Sequence, residues 1–344
     1  MKKLLSFIFI IGLCLFGLFA CENSKVTYKD PSTGEEKELK IETTTNEEEV
    51  SDSLYAVALS EAPVKDVNTA SAKLTFKAKV DGKDDEGKDV KVDVKGSIEV
   101  NESFDKNAKF ETTLDVIKAL AFSAKIEASG TIPTEDGGTQ SISKSTIELY
   151  LENGVVYAKV SLDAKLAAFI ASEEESYGAI VQLVNEKTLK LDLSTLIGAE
   201  QLTAEQKADL EAVLKGESSK TLKEMLEENG VKLDDLKAEI DSLVKKYGLT
   251  ISKVKGGEVT YTADLSEEAF EKDTQSKLTV DVTINVAEVS FVGASVKAEI
   301  KEKNATGTAE ATLEVSYKGS VAKMSDADKE KAIDAMTLMG GLGA

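Results

Sequence analysis

Few residues in this chain have the types and spacing that chemistry needs. The segment Asp81-Gly82-Lys83-Asp84-Asp85-Glu86-Gly87 gathers carboxylates in a loop, as a calcium site does. Lys83 stands where an EF-hand spacing requires a ligand, however, so the segment reads as a solvated hairpin loop. Glu173-Glu174-Glu175 could supply a carboxylate pair for glycoside chemistry, although a charged helix end or loop is the simpler reading. Cysteine occurs twice, as Cys14 and Cys21, and histidine and tryptophan are absent. All 42 basic residues are lysine. Without His, the usual proton relays and transition-metal sites are missing. Without Arg, bidentate capture of phosphate or carboxylate is missing too. No G-x-S-x-G and no P-loop is present. A binding protein without catalytic residues, metal or cofactor is therefore expected, and a hydrolase is the least supported class.

The clearest signal lies at the start. Lys2 and Lys3 precede an apolar run from Leu4 to Ala20, the form of a secretory signal peptide and too short for a comfortable membrane span. The run ends in Leu18-Phe19-Ala20-Cys21, and polarity changes abruptly at Glu22. That tetrapeptide resembles the lipobox of bacterial lipoproteins. The resemblance implies removal of residues 1–20 and acylation of Cys21, and hence an extracytoplasmic protein held to the cell membrane, or to an outer membrane if the source has one. Acyl chains contribute about 0.8 kcal/mol per buried methylene, so two or more anchor a protein without a spanning helix. Cys14 would leave with the leader, so the mature chain would have neither a free thiol nor a disulfide.

Losing the leader removes two lysines and takes the formal charge from −20 to −22. Nucleic acid is excluded as a natural partner, because phosphate binding needs a basic stripe. Residues 21–46, polar and Thr-rich after the cysteine, read as a lipidated flexible tether. Residues 47–344 read as a single α+β domain with a helical insertion at about 163–248.

Within that domain, Glu47-Glu48-Glu49 ahead of Val50, Leu54, Val57 and Ala58 predicts a helix. From residue 72 the period becomes two. Ala72, Leu74, Phe76, Ala78 and Val80 alternate with lysine and threonine, and Val90, Val92, Val94, Ile98 and Val100 alternate with Lys91, Asp93, Lys95 and Glu99. Ala108, Phe110 and Leu114 continue the pattern, followed by the run from Leu120 to Ala128. Ile147, Leu149 and Leu151 lead through Asn153-Gly154, the strongest hairpin signal, to Val156, Ala158 and Val160. Asp81-Gly82 and Gly137-Gly138 mark further turns. Helical spacing governs the insertion, with Thr203-x-x-Gln206 as a capping box and stops at Gly216, Asn229-Gly230 and Gly248. Strands resume at Val259, Leu278, Val292 and Ala309, and a final helix near Ser325 places Ile333 and Met336 on one face. About ten strands are expected, each with one apolar and one Lys/Glu/Thr side, as in an antiparallel sheet wet on one face.

An apolar face of this extent needs a cover. Either the strands form a sandwich or the sheet curves into a half-barrel with the amphipathic helices on its concave apolar face. The presence of such helices between the strand blocks favours the half-barrel. In this order of elements, and in a hairpin at Tyr150–Lys159, the chain resembles LppX/LprG-type and Lol-type lipoproteins. That resemblance implies a lipid or acyl chain held between sheet and helices. The cavity lining would then be Phe76, Phe110, Phe122, Leu149 and Phe291 from strands, with Phe169, Ile180, Leu210 and Leu226 from helices. The alternative is a ligand-free structural or adhesive surface lipoprotein that meets an envelope protein partner through its Lys/Glu face.

Overall fold

The computed structural model describes residues 25–29, 35–60, 69–83, 87–105, 107–134, 138–173, 175–215, 221–228, 230–270, 275–286, 289–317 and 320–340. In chain order the elements are β1 (Lys25–Lys29), β2 (Glu36–Lys40), α1 (Glu47–Ala58), β3 (Thr69–Lys83), β4 (Asp89–Phe104), α2 (Thr113–Ala119), β5 (Leu120–Pro133), β6 (Thr139–Glu152) and β7 (Val155–Ser161). They continue with α3 (Ala164–Glu173), α4 (Glu175–Val184), β8 (Lys187–Asp192), α5 (Ala204–Lys215), α6 (Leu222–Glu228), α7 (Leu233–Tyr247), β9 (Thr250–Lys255) and β10 (Glu258–Asp264). Last come α8 (Ser266–Ala269), β11 (Lys277–Asn285), β12 (Ser290–Lys301), β13 (Ala305–Ser316), α9 (Asp326–Glu330), β14 (Ile333–Asp334) and α10 (Ala335–Gly340).

The class is α+β, built on a large sheet. Twelve strands follow the order β14-β8-β7-β6-β5-β4-β3-β13-β12-β11-β10-β9, and β1 and β2 form a separate pair. The order is open, as a half-barrel requires, and the residue-by-residue pairings among the described strands are antiparallel except β14 on β8. The chain divides into two compact units. The first comprises residues up to Val67 and Ala212–Ala298, the second Asn68–Glu211 and Glu299–Ala344.

In the first unit the alternation of β9, β10 and β11 places Ile251, Val259, Tyr261, Ala263, Val282 and Ile284 on one face, all buried. The opposite face is a hydroxyl ladder in which Thr260 meets Thr283 at 2.9 Å and Thr262 donates to Asp281 at 2.7 Å. Helices α1 and α7 bury Val50, Val57, Ile240 and Val244. Ser53 of α1 meets the Tyr261 hydroxyl at 2.9 Å, which fixes that helix against β10. Asn46 caps α1 by accepting from the amides of Glu48 and Glu49. Gly248 ends α7 at φ 56°, the left-handed residue that the sequence puts there.

The second unit contains β3 to β8 and β13. Asn153 and Gly154 take φ 52° and 81°, as the expected hairpin turn demands. Thr203 and Gln206 exchange the two hydrogen bonds of the expected capping box, at 2.9 and 3.2 Å.

Several expectations differ from what the fold contains. The stretch read as a tether carries β1 and β2, with Val26 and Ile41 only 1% and 3% exposed, because two five-residue strands are too short to announce themselves by period. Phe110 lies in no strand. The chain leaves β4 at Phe104, and Thr112 and Asp115 form a capping box that starts α2, so Leu114 is helical. Asp81-Gly82 sits inside β3 rather than at its turn, paired with Lys91 and Val90. The helical insertion is interrupted by β8. Ile333 belongs to β14, where parallel pairing with Leu189 at a sheet edge overrides the helical spacing, and only Met336 is in the following helix. Gly137, Gly216, Asn229, Asp84–Glu86 and Glu174 fall outside the described residues.

Candidate functional site

Register is unbroken through the middle of the second unit, so directly opposed residues can be followed from strand to strand on one face. One row runs Leu313, Leu74, Ile98, Ile126, Ile147 and Val160 across β13, β3, β4, β5, β6 and β7. The next runs Val315, Ala72, Val100, Ala124, Leu149, Ala158 and Leu189, and ends on Ile333 of β14. Along β3, β4 and β13 every apolar side chain on this face is half-buried and none is buried. Ile126, near the middle, is 37% exposed. The same alternation that gives a closed core in the first unit here gives a broad, incompletely covered apolar surface.

Phe76, Phe122 and Leu149 lie together on this face. The Phe76 ring rests on Gly96, opposite it in β4, where an added Cβ would collide with both the ring and the Glu127 carbonyl. Phe110 is 7% exposed, its ring 5.7 Å from that of Phe104 at the end of β4. Phe169 of α3 and Ile180 of α4 are 46% and 51% exposed, and Leu210 of α5 is half-buried, all three in the same unit. Leu226 of α6 and Phe291 of β12 belong instead to the first unit and are buried at 8% and 2%. Cys21 lies outside the described residues.

Sequence reasoning passed over Glu102. The alternation Val94, Ile98, Val100 was legible, and extending its parity by one step places Glu102 on the apolar side, opposite Ala70 and Phe122.

The polar face of the same strands is a lattice of ion pairs. Glu127 lies 2.8 Å from Lys125 and 2.7 Å from Lys144, and Tyr150 donates to Glu148 at 3.2 Å. Burial, and after it the Glu148 charge, pushes the Tyr150 phenol up to about 12. The chain from Met324 through α9 is bolted to this face. Lys329 pairs with Glu152 at 2.8 Å, the Met324 amide donates to the same carboxylate at 2.9 Å, and Lys159 pairs with Asp328 at 3.1 Å.

A second cluster of reactive types sits between α1 and α7. Lys237 donates to Ser51 Oγ at 2.6 Å and to Asp241 at 2.7 Å, and faces Asp52 at 3.1 Å; Ser51 in turn donates to Asp241. A Ser–Lys nucleophile needs a neutral lysine as base. Burial opposes the Lys237 charge, but the hydrogen bonds to Asp241 and Asp52 outweigh it and hold the ammonium above the usual lysine range. With Ser51 only 1% exposed as well, the cluster locks two helices together.

Among the described residues, no group of three or more acidic or thiol side chains is placed to hold a metal ion, and no helix is long and apolar enough to cross a membrane. Comparison of the sequence with known proteins matches it to no family model and to no curated protein.

Proposed function

We propose that this protein is an extracytoplasmic lipoprotein, anchored through lipid on Cys21, whose second unit binds a lipid or acyl chain on the apolar face running from β13 to β8. The observation that carries the reading is the incomplete burial of that face. Rows of Leu, Ile, Val and Phe that remain half-exposed leave apolar surface for a ligand to cover, and covering it contributes about 25 cal/mol per Å². The leader and lipobox support the anchor, and the charge lattice on the other side of the sheet keeps the protein soluble while that face is open. No covalent chemistry is needed.

The test uses the soluble chain beginning at Ser24, purified gently and weighed by native mass spectrometry. A lipid or apolar adduct that disappears on organic extraction is expected. A bare mass, together with no uptake of a fluorescent fatty acid or phospholipid, would refute the carrier reading and leave an envelope protein partner as the remaining one. For the anchor, palmitate labelling of the full-length chain in a bacterial host should be lost in Cys21→Ser.

A further inference from the structure

The structure points to a more specific ligand, and we propose that it is a lipid bearing an ammonium headgroup, received by Glu102 at one end of an apolar row. The proposal rests on the lipid-binding reading above and adds the headgroup and the direction of the chain.

The pairings of β4 with β3 and with β5 show no register shift along their length, so the parity that puts Val94, Ile98 and Val100 on the apolar face also puts Glu102 there. Its neighbours are Ala70 and Phe122 across the strands and Val100 and Phe104 along its own. From β13 to β7, Glu102 is the one charged side chain on this face among the described residues. It is exposed, and no lysine of the described strand residues shares the face with it. A carboxylate on a surface destined for a dry core would be costly, because isolated charges are not buried without a partner. On a surface that receives an amphiphile it is the sparse polar group that fixes orientation in an otherwise apolar site.

The row that begins at Glu102 continues through Phe122, Leu151, Val156 and Leu191. Those four side chains are apolar and half-buried. Five adjacent strands place its ends about 19 Å apart, the reach of a long extended acyl chain. An ammonium at Glu102 would donate charge-assisted hydrogen bonds to the carboxylate, while the hydrocarbon lies along the row.

The experiment compares dodecylamine, dodecanol and dodecanoate, each below its micellar concentration, by isothermal titration into the soluble chain beginning at Ser24. The amine should bind about tenfold more tightly than the carboxylate, the effect of one charge-assisted contact. That preference should shrink with added salt. Glu102→Gln should abolish the preference and keep dodecanol binding, and Glu102→Lys should reverse it. Far-UV circular dichroism establishes that both variants are folded. Equal affinities in the unaltered protein, or a preference that survives in Glu102→Gln, would overturn the headgroup assignment and show Glu102 to be a solubilising charge. If none of the three compounds binds, the lipid-binding reading itself fails.

Discussion

A matched pair of truncations, Ile126→Ala and Ile284→Ala, separates an open apolar face from a closed core. Both remove the same atoms from the apolar side of an alternating strand, Ile126 at the centre of β5 and Ile284 at the penultimate position of β11. Ile284 is 5% exposed and Ile126 is 37% exposed. At about 0.8 kcal/mol per buried methylene, the three carbons lost contribute about 2.3 kcal/mol at Ile284 and about 1.5 kcal/mol at Ile126. Ile284 leaves a cavity that its neighbours cannot fill, which raises its cost to roughly 3 to 4 kcal/mol. At Ile126 water enters, so no such addition applies. A gap of about 2 kcal/mol is therefore expected, measured by urea titration of the soluble chain. Amide exchange in β5 and β11 assigns each loss to its own unit, since two units can unfold separately. Equal losses would refute the argument, because they would mean that the face around Ile126 is a core like the other. Ile126→Asp should remove lipid uptake at little further cost in stability.

Other consequences follow from particular contacts. Gly96→Ala should cost about 1 to 3 kcal/mol by overpacking. Adding Phe76→Leu should restore only part of it, since the Glu127 carbonyl stays in place; urea midpoints of the single and double variants measure this. Hydrogen bonds from Lys237 and Ser51 hold the Asp241 carboxyl below its ordinary value of 3.8. Its contribution is thus present above that pH and is lost as the pH falls through the lowered folded value, so Asp241→Asn should flatten that part of the acid-unfolding profile. The Tyr150 phenol, raised to about 12, contributes stability below its ordinary value of 10.0 that is lost as pH rises from there toward 12. Phenolate absorbance should show a late-titrating tyrosine that moves earlier in Glu148→Gln. Lys329→Ala leaves the Glu152 carboxylate, 10% exposed, with the Met324 amide as its one partner among the described residues, and should cost about 1 to 2 kcal/mol and speed amide exchange in β14.

Much of the fold was legible because its signals are local. The two-residue period of β3 and β4, the Asn153-Gly154 turn, the Thr203–Gln206 cap and the Gly248 stop each depend on neighbours a few residues away. Shorter pieces were not legible. The strands β1 and β2 declare themselves only through Val26 and Ile41 meeting the first unit. Ile333 forms a strand only because the edge of β8 is there to pair with. The candidate site was legible in part. Phe76, Phe122 and Leu149 could be assigned to one face by parity, but Leu226 and Phe291 could not be separated from them, since membership of a unit is not a local property.

What the sequence determined by itself was that strands would alternate, that one side of each would be apolar, and that the catalytic side chains commonest in enzymes would be missing. Which apolar side would be covered was decided only in three dimensions. Val259, Tyr261 and Ala263 read just as Ala72, Leu74 and Phe76 do, yet the first set is buried and the second is half-exposed. Alternation records only that a face avoids water. Its cover comes from elements far away in the chain, such as α1 and α7, which the Ser51–Lys237–Asp241 contacts lock together in the first unit. The row from Glu102 to Leu191 likewise exists only through the register of five strands, because strand pairing aligns on one face residues that the sequence spreads over almost ninety positions.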